Sequence, residues 1–378
     1  MVVRVPVNKD IIIWARKQNN LDLSEAAKKL RIKLPQLEKI ENGEELPSAT
    51  TFRKMSSVYY LAEATLLGES IPTLRELPKD HRTFDGTPTQ LSHDTIVAIR
   101  KCQERQDSLI ELFEMGINPI TPHLPKCSLH DDPESIATQE RERIGFPLSE
   151  QLKWTAGDCL TKWRTIVENL GVSVFVEDFP IKDARGISIY DNTCPVIILN
   201  QNEKLPSYRL FTLFHEYCHL LLRNAGISDF NRSSRLERFC NQFSAAFLLP
   251  IEGLKAVLSI QKGKFIEPEI SELDEAAKKL KVSISCLALR LEECGFAPDN
   301  YYQKISARLN KPTPAPNKNT PVPQQYLILS HLGQHYTDTV LRGVEGGQLS
   351  SLDASRLLNA SPAWFPAVRE TIEKRNAK

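Results

Sequence analysis

The sequence predicts an α+β chain: a helical module first, a small sheet only in the middle, and more helices at the end. Three observations predict it. Residues 1–70 read as short capped amphipathic helices. Three β-type runs, Val172-Ser173-Val174-Phe175-Val176, Gly186–Tyr190 and Val196-Ile197-Ile198-Leu199, come just ahead of a long apolar stretch, Leu210–Leu222. Proline-rich segments at 71–148 and 309–325 separate these parts.

The bulk properties exclude several classes. The 378 residues suffice for two or three domains, and a formal net charge of +1 gives no global basic field, so contact with nucleic acid requires a local patch. No apolar run approaches transmembrane length, and Met1–Asp10 lacks the apolar core of an export signal, so a cytoplasmic protein without membrane contact is expected. The eight cysteines form no CxxC pair and read as reduced thiols.

The first 70 residues begin with an amphipathic segment at Ile11, Ile12, Trp14 and Ala15. Leu23–Leu30 follows as a short helix with Ser24 as its expected N-cap. Arg31-Ile32-Lys33 turns into Leu34–Glu41, where Pro35 suits a first turn, and Asn42-Gly43 stops the helix. Two short helices joined by so tight a turn make a helix-turn-helix. The order Ala26-Ala27, Leu30, Ile32, Leu37, Ile40-Glu41-Asn42-Gly43 and Pro47 resembles the Cro/C1-type (XRE) repressor domain over about residues 8–66. That resemblance implies binding of double-stranded DNA through the second helix. Leu34 and Pro35 depart from it, because neither side chain can hydrogen-bond a base edge. Lys33, Gln36 and Lys39 remain as candidate DNA contacts. Eleven Lys or Arg against nine Asp or Glu is a weak phosphate-binding balance, so a protein-docking or dimerising module is the competing reading.

Residues 71–148 read as a helical connector, broken by prolines, with one substantial helix around Ser92 to Met115. His81, His93, His123 and His130 lack ligand spacing and read as surface residues. A helix from Ser149 to Leu170 then opens a domain spanning 149–308, with Gly171 ending the helix and the three strands following. The second and third strands form a hairpin, and an exposed strand edge there could hold an extended peptide.

The apolar stretch contains His215-Glu216-Tyr217-Cys218-His219. On a helix, residues i and i+4 share a face, so both imidazoles can reach one cation, with Glu216 beside them as a general base. Cys218 lies on another face and reads as a buried small hydrophobe. A catalytic zinc site has three protein ligands and an open position. Glu237 is the best-placed third ligand, on a second helix, with Asn241 one turn further on suited to supporting a ligand from behind. Cys240, Glu203, Glu252 and Asp229 remain alternatives.

Several runs resemble the ImmA/IrrE family of metallopeptidases over roughly residues 150–300. They are Arg185–Ser188, Val196–Asn200, Arg209–Glu216, His219–Leu222, Glu237–Asn241, Ala245-Ala246 and Leu249-Pro250. The resemblance implies a zincin-like metallopeptidase domain with Zn2+ held by His215, His219 and Glu237 and with Glu216 as catalytic base. It also implies endopeptidase activity against a helix-turn-helix repressor or antitoxin-like protein, in transcriptional regulation and stress response, and an XRE module ahead of such a domain implies a bacterial source. The alternative is a DNA-binding regulator whose peptidase-like domain is a sensor or scaffold. Sequence leaves the oligomeric state open.

After the site, Glu275–Val282 repeats Glu25–Ile32 almost letter for letter, so 270–296 reads as a second helix-turn-helix-like unit. A compact packing unit is the favoured reading of it, and a second DNA contact the other. Residues 309–325 read as a Pro-rich linker and 326–378 as a small helical tail. His331 and His335 stand at i and i+4 in the first tail helix without a third ligand, and read as solvated side chains.

Overall fold

A computed structural model describes residues 3–80, 91–224, 226–228, 235–258, 266–309 and 321–376. The chain divides into two compact units, one of Met1–Leu77, Pro88–Gln103 and Asp178–Asp183, the other of Pro78–Thr87, Glu104–Glu177 and Ala184–Lys378.

The first unit holds α1 (Lys9–Gln18), α2 (Leu23–Leu30), α3 (Leu34–Asn42), α4 (Ala49–Tyr59) and α5 (Glu63–Leu66). Their apolar faces close on one core that includes Ile11, Ile12, Leu30, Leu37, Ile40, Met55 and Tyr59. The cap of α2 is Asp22, not Ser24. Its carboxylate accepts from Glu25 N–H at 2.7 Å, and the Glu25 side chain returns to Asp22 N–H, a reciprocal capping box. Arg31 takes a left-handed conformation at φ 57°, and Gly43 ends α3 at φ 80°, which gives the tight turn and the stop. Arg16 donates twice to buried Glu41, at 2.8 and 3.0 Å, fixing α1 against α3. A buried carboxylate needs such a partner.

The second unit is α+β. In chain order its described elements run from β1 (Lys79–Asp80) through the C-terminal part of α6 (His93–Glu114), α7 (Pro133–Ile144), α8 (Leu148–Lys153) and α9 (Ala156–Asn169). Then come β2 (Ser173–Glu177), β3 (Gly186–Ile189), β4 (Val196–Asn200), α10 (Pro206–Leu221), β5 (Gly226–Ser228), α11 (Arg235–Leu248) and α12 (Ile251–Leu258). Helices α13 (Ile270–Leu280), α14 (Ile284–Glu293) and α15 (Tyr301–Leu309) precede the tail: α16 (Gln324–Leu332), α17 (Gln334–Glu345), α18 (Ser351–Leu358) and α19 (Phe365–Asn376). The expected linker falls largely at 310–320, outside the described residues.

The sheet order is β1-β5-β3-β4-β2. The expected hairpin is present, with Ile187 opposite Ile198 in the antiparallel β3–β4 pair, while β2 runs parallel to β4. Because β3 lies between β4 and β5, it is not a sheet edge, contrary to the expectation of a peptide-holding edge on the hairpin. Strands β2, β3 and β4 are buried along their whole length.

The expected helix 149–170 is two helices. Trp154 is extended, and Thr155 caps α9 by accepting from Asp158 N–H, which starts a new helix. The connector also contains a second helix, α7, started by Asp132, which accepts from Ser135 N–H, and stopped by Gly145 at φ 72°. It packs on α11 and α10. Tyr217 donates to Glu140 at 2.9 Å, and Arg143 bridges both groups.

The repeated unit has the geometry of α2–α3: Lys281, between α13 and α14, is left-handed at φ 62°, as Arg31 is. In α14, however, Cys286 through Leu291 are all buried. Arg290 donates to Leu249 O at 2.8 Å and pairs with Glu134. This helix has become part of the core, in accord with the packing reading.

The tail also docks on this unit. Glu168 of α9 accepts from Gln334 N–H at 2.8 Å and from His335 N–H at 3.2 Å. Gly333, at φ 80°, separates α16 from α17, and a Cβ there would overlap the Glu168 carboxylate, so only glycine permits this approach. His331 and His335 therefore belong to different helices. His335 is 8% exposed against Phe113, not solvated as expected, and its burial lowers its pKa to about 4. Val176 O accepts from His331 Nδ1, and Val174 O accepts from Arg164.

Candidate metal centre

Helix α10 begins at Pro206 in its first turn and runs without interruption to Leu221. Its apolar back is anchored by aromatic packing: Phe214 stacks on Phe247 of α11 at 4.1 Å between centroids, with Trp163 edge-on to both. Two such contacts fix the roll of the helix, and therefore the direction of the side chains on its other face.

On that face His215 and His219 are one turn apart, as the spacing predicts, and Glu237 comes from the first turn of α11. The three groups are buried at 0, 0 and 1% exposure, and their ligand atoms all lie within 4.8 Å of one another. His215 Nε2 is 3.0 Å from Glu237 Oε2, His219 Nε2 is 3.4 Å from Glu237 Oε1, and the two Nε2 atoms are 3.2 Å apart. The outer nitrogens are engaged elsewhere. His215 Nδ1 donates to Asn241 Oδ1 at 3.0 Å, and His219 Nδ1 donates to the Asn224 carbonyl at 3.1 Å. Both rings thus carry the proton on Nδ1 and turn Nε2 inward, the arrangement a metal-binding imidazole requires.

Charge is shared unevenly among the three groups, and the proton favoured on His219 is one that a bound cation would displace. Burial holds the pKa of His215 down, against the pull of Glu237. Burial also opposes charge on His219, but Cys240 and Glu237 outweigh it and hold its pKa well above the usual value. For Glu237 burial favours the neutral acid, yet both histidines outweigh that, and its pKa lies far below the ordinary carboxylate range. Two imidazoles and an ionised carboxylate in a dry pocket form a donor set fit for a divalent transition metal.

Glu216 is fully buried beside the first histidine. It lies against β3: a Cβ on Gly186 would stand 2.7 Å from Glu216 Oε1 and Cγ and 2.6 Å from Thr212 Cγ2. The absence of a side chain at Gly186 therefore makes room for this carboxylate.

The other candidate residues separate clearly. Cys240 is buried and interacts with Cys218 and His219, but is not among the three converging groups. Cys218 is completely buried, and burial pushes its thiol pKa up. Glu203 pairs with Arg185, Glu252 is exposed, and Asp229 lies outside the described residues. None of the cysteines is in a disulfide among the described residues. His123 and His130 are exposed, half-buried His93 bonds the Val58 carbonyl at 2.7 Å, and His81 lies outside the described residues. In the first unit, Lys33, the N-cap of α3, and Lys39 on that helix are exposed, whereas Gln36 is half-buried and donates to Glu45 at 3.4 Å.

Sequence reasoning gave no role to the Asn224 carbonyl, to Gly186, or to the Glu140–Tyr217–Arg143 support behind α10. Gly186 and Glu140 come from segments distant from the motif, which no local pattern signals, and Asn224 acts through a backbone carbonyl, which its residue type does not reveal.

Two family comparisons agree with this geometry. Residues 167–292 match a peptidase family described as IrrE N-terminal-like domain, and residues 12–59 match a helix-turn-helix family. No curated protein and no solved structure matches the chain. The chain thus holds a region similar to an IrrE N-terminal-like peptidase family, which contains the buried His215–His219–Glu237 group, behind a region similar to a helix-turn-helix family. No described helix is long and apolar enough to cross a membrane.

Proposed function

We propose that this chain is a cytoplasmic zinc endopeptidase of bacterial origin acting in transcriptional regulation. Its proposed substrate is a helix-turn-helix repressor or antitoxin-like protein, with residues 1–70 as a DNA-binding module and 149–308 as the peptidase domain. The observation that carries the reading is the convergence of His215, His219 and Glu237 on one buried point with Glu216 adjacent. A scaffold needs no carboxylate there, and a strand needs no glycine beside it.

In this reading His215, His219 and Glu237 hold the ion, and Asn241 and the Asn224 carbonyl fix the two rings. When bound, zinc supplies Lewis-acid polarisation of water and of the scissile carbonyl. Glu216 takes a proton from the attacking water and delivers it to the leaving amine as the peptide bond breaks. The surrounding apolar shell excludes bulk water, so the carboxylate acts in a medium of low polarity.

The second reading, a DNA-binding regulator with an inactive metal domain, is favoured by the helix-turn-helix match and exposed Lys33 and Lys39. One experiment separates them. Purified protein is assayed for bound metal, then incubated with the repressor encoded beside it, wild type against Glu216→Gln. Cleavage by wild type alone supports the enzyme. Bound zinc without cleavage, together with salt-dependent DNA binding, supports the regulator.

A further inference from the structure

A partly open cavity of about 90 Å³, with a mixed polar and apolar wall, lies between α9, α10, β2, β4 and the tail helices α16, α17 and α19. That is several times the 10–15 Å³ or so that one water needs. Three guanidiniums border it, Arg164 of α9, Arg209 of α10 and Arg375 of α19, against a single lining carboxylate, Glu168. Arginine does not deprotonate in proteins, so this charge cannot be relieved by losing protons.

The three arginines are not equally engaged. Arg164 pairs with Glu168 at 3.0 Å and donates to the Ser330 and Val174 carbonyls. Glu168 is itself fully committed, to Arg164 and to two tail amides. Arg209 Nε is buried with no hydrogen-bond partner among the described residues. Glu203, the acid that acts on Arg209, is ion-paired to Arg185. Arg375 forms no hydrogen bond or close ion pair among the described residues, although Glu168 attracts it through space. Burial disfavours the charge on all three, and Arg375 and Arg209 add to that disfavour at Arg164. Excess positive charge at a partly buried site is costly without a counter-ion. Thr161, Thr165 and Ser330 also line it, with the Thr165 and Ser330 hydroxyls donating to the Thr161 and Leu327 carbonyls.

We propose that this cavity binds a small tetrahedral oxyanion of the phosphate class, clasped between Arg209 on the helix that carries His215 and Arg375 on the last tail helix. Guanidinium forks match the oxygen spacing of phosphate and bind it through charge-assisted hydrogen bonds. The volume fits the anion itself, free or as the end of a phosphomonoester, and is too small for a nucleotide. The proposal is independent of peptidase activity, since it rests on neither the metal centre nor a substrate.

The test uses the full-length protein in phosphate-free buffer, with chloride holding ionic strength constant. Inorganic phosphate and methyl phosphate are titrated separately by calorimetry, and melting is followed in parallel. Saturable binding of inorganic phosphate near one equivalent, with a matching rise in melting temperature, is expected. Binding of inorganic phosphate alone identifies the free anion, and equal binding of methyl phosphate identifies a terminal phosphoryl group. Arg209→Met and Arg375→Met should each weaken binding about tenfold or more, the loss expected for a charged hydrogen bond. Arg308→Met, at an exposed position of α15 away from the cavity, should leave it unchanged. If a Met variant folds poorly, the corresponding Lys variant, which keeps the charge and loses the fork, should bind with intermediate affinity. Absence of saturable binding at millimolar phosphate, or binding unchanged in all these variants, overturns the proposal.

Discussion

Gly186 and Glu216 come from different elements, β3 and α10, yet lie so close that any Cβ on the first would press on the carboxylate of the second. Gly186→Ala should therefore push Glu216 from its place without touching a metal ligand. The expected outcome is loss of peptide hydrolysis of about 100-fold or more, the scale of a displaced general base, with bound metal retained. Metal content by atomic absorption, measured beside turnover, checks it. Loss of metal in parallel with activity would contradict this role.

Asn241 tests support for the ligands. Its Oδ1 is the acceptor that fixes the His215 ring. Asn241→Ala should lower metal affinity by about 10–100-fold, the usual cost of losing such a partner, whereas His215→Ala should abolish binding. Competition against a chromophoric chelator measures both. His219 should prove insensitive to neighbouring side-chain substitutions at Asn224, because its acceptor there is a backbone carbonyl.

His335 makes stability depend on pH. Its folded pKa of about 4 lies below the unfolded value of about 6.5. Between those values the unfolded chain binds the extra proton, so stability is complete above about 6.5 and is lost as the pH falls toward 4. The difference corresponds to about 3 kcal/mol at full protonation. His335→Phe, packed against Phe113, should remove that part of the acid sensitivity. Urea titrations at neutral and acid pH measure it, and an unchanged pH dependence in the variant would refute the assignment.

Lys33, the N-cap of α3, and Lys39 on that helix are exposed, while the first-turn residues Leu34 and Pro35 offer no hydrogen bond to a base. If the module binds DNA through this helix, Lys33→Ala and Lys39→Ala should each reduce the slope of log affinity against log salt by about one, with little change in sequence preference. Electrophoretic titration over a range of salt concentrations gives the slope. No change in either variant would move the contact elsewhere.

The parts of the site legible in the sequence are those set by local periodicity. His215, Glu216 and His219 lie on one helix, and Glu237 and Asn241 on another, so helical spacing alone orders each set. What the sequence concealed depends on pairing between distant segments. Strands β1 and β5 are too short to show alternation, so the position of β3 inside the sheet could not be read. Helix α7 was marked by Asp132-Pro133 at its start and Gly145 at its end, signals outweighed by the many neighbouring prolines. His331 and His335 have the spacing of one helical pair, but Gly333 between them, at φ 80°, stops the first helix.

The contacts that Arg164 and His331 make with the Val174 and Val176 carbonyls have a consequence for the solubility of the chain. Strand β2 ends the sheet order, and a bare outer strand is a template for pairing with another copy. Arg164 of α9 and His331 of the tail supply donors along that strand, both from helices, which cannot propagate a sheet. Proteolysis between 309 and 325 would leave the metal centre intact in sequence and uncover a β edge, so the product should self-associate while the whole chain stays dispersed.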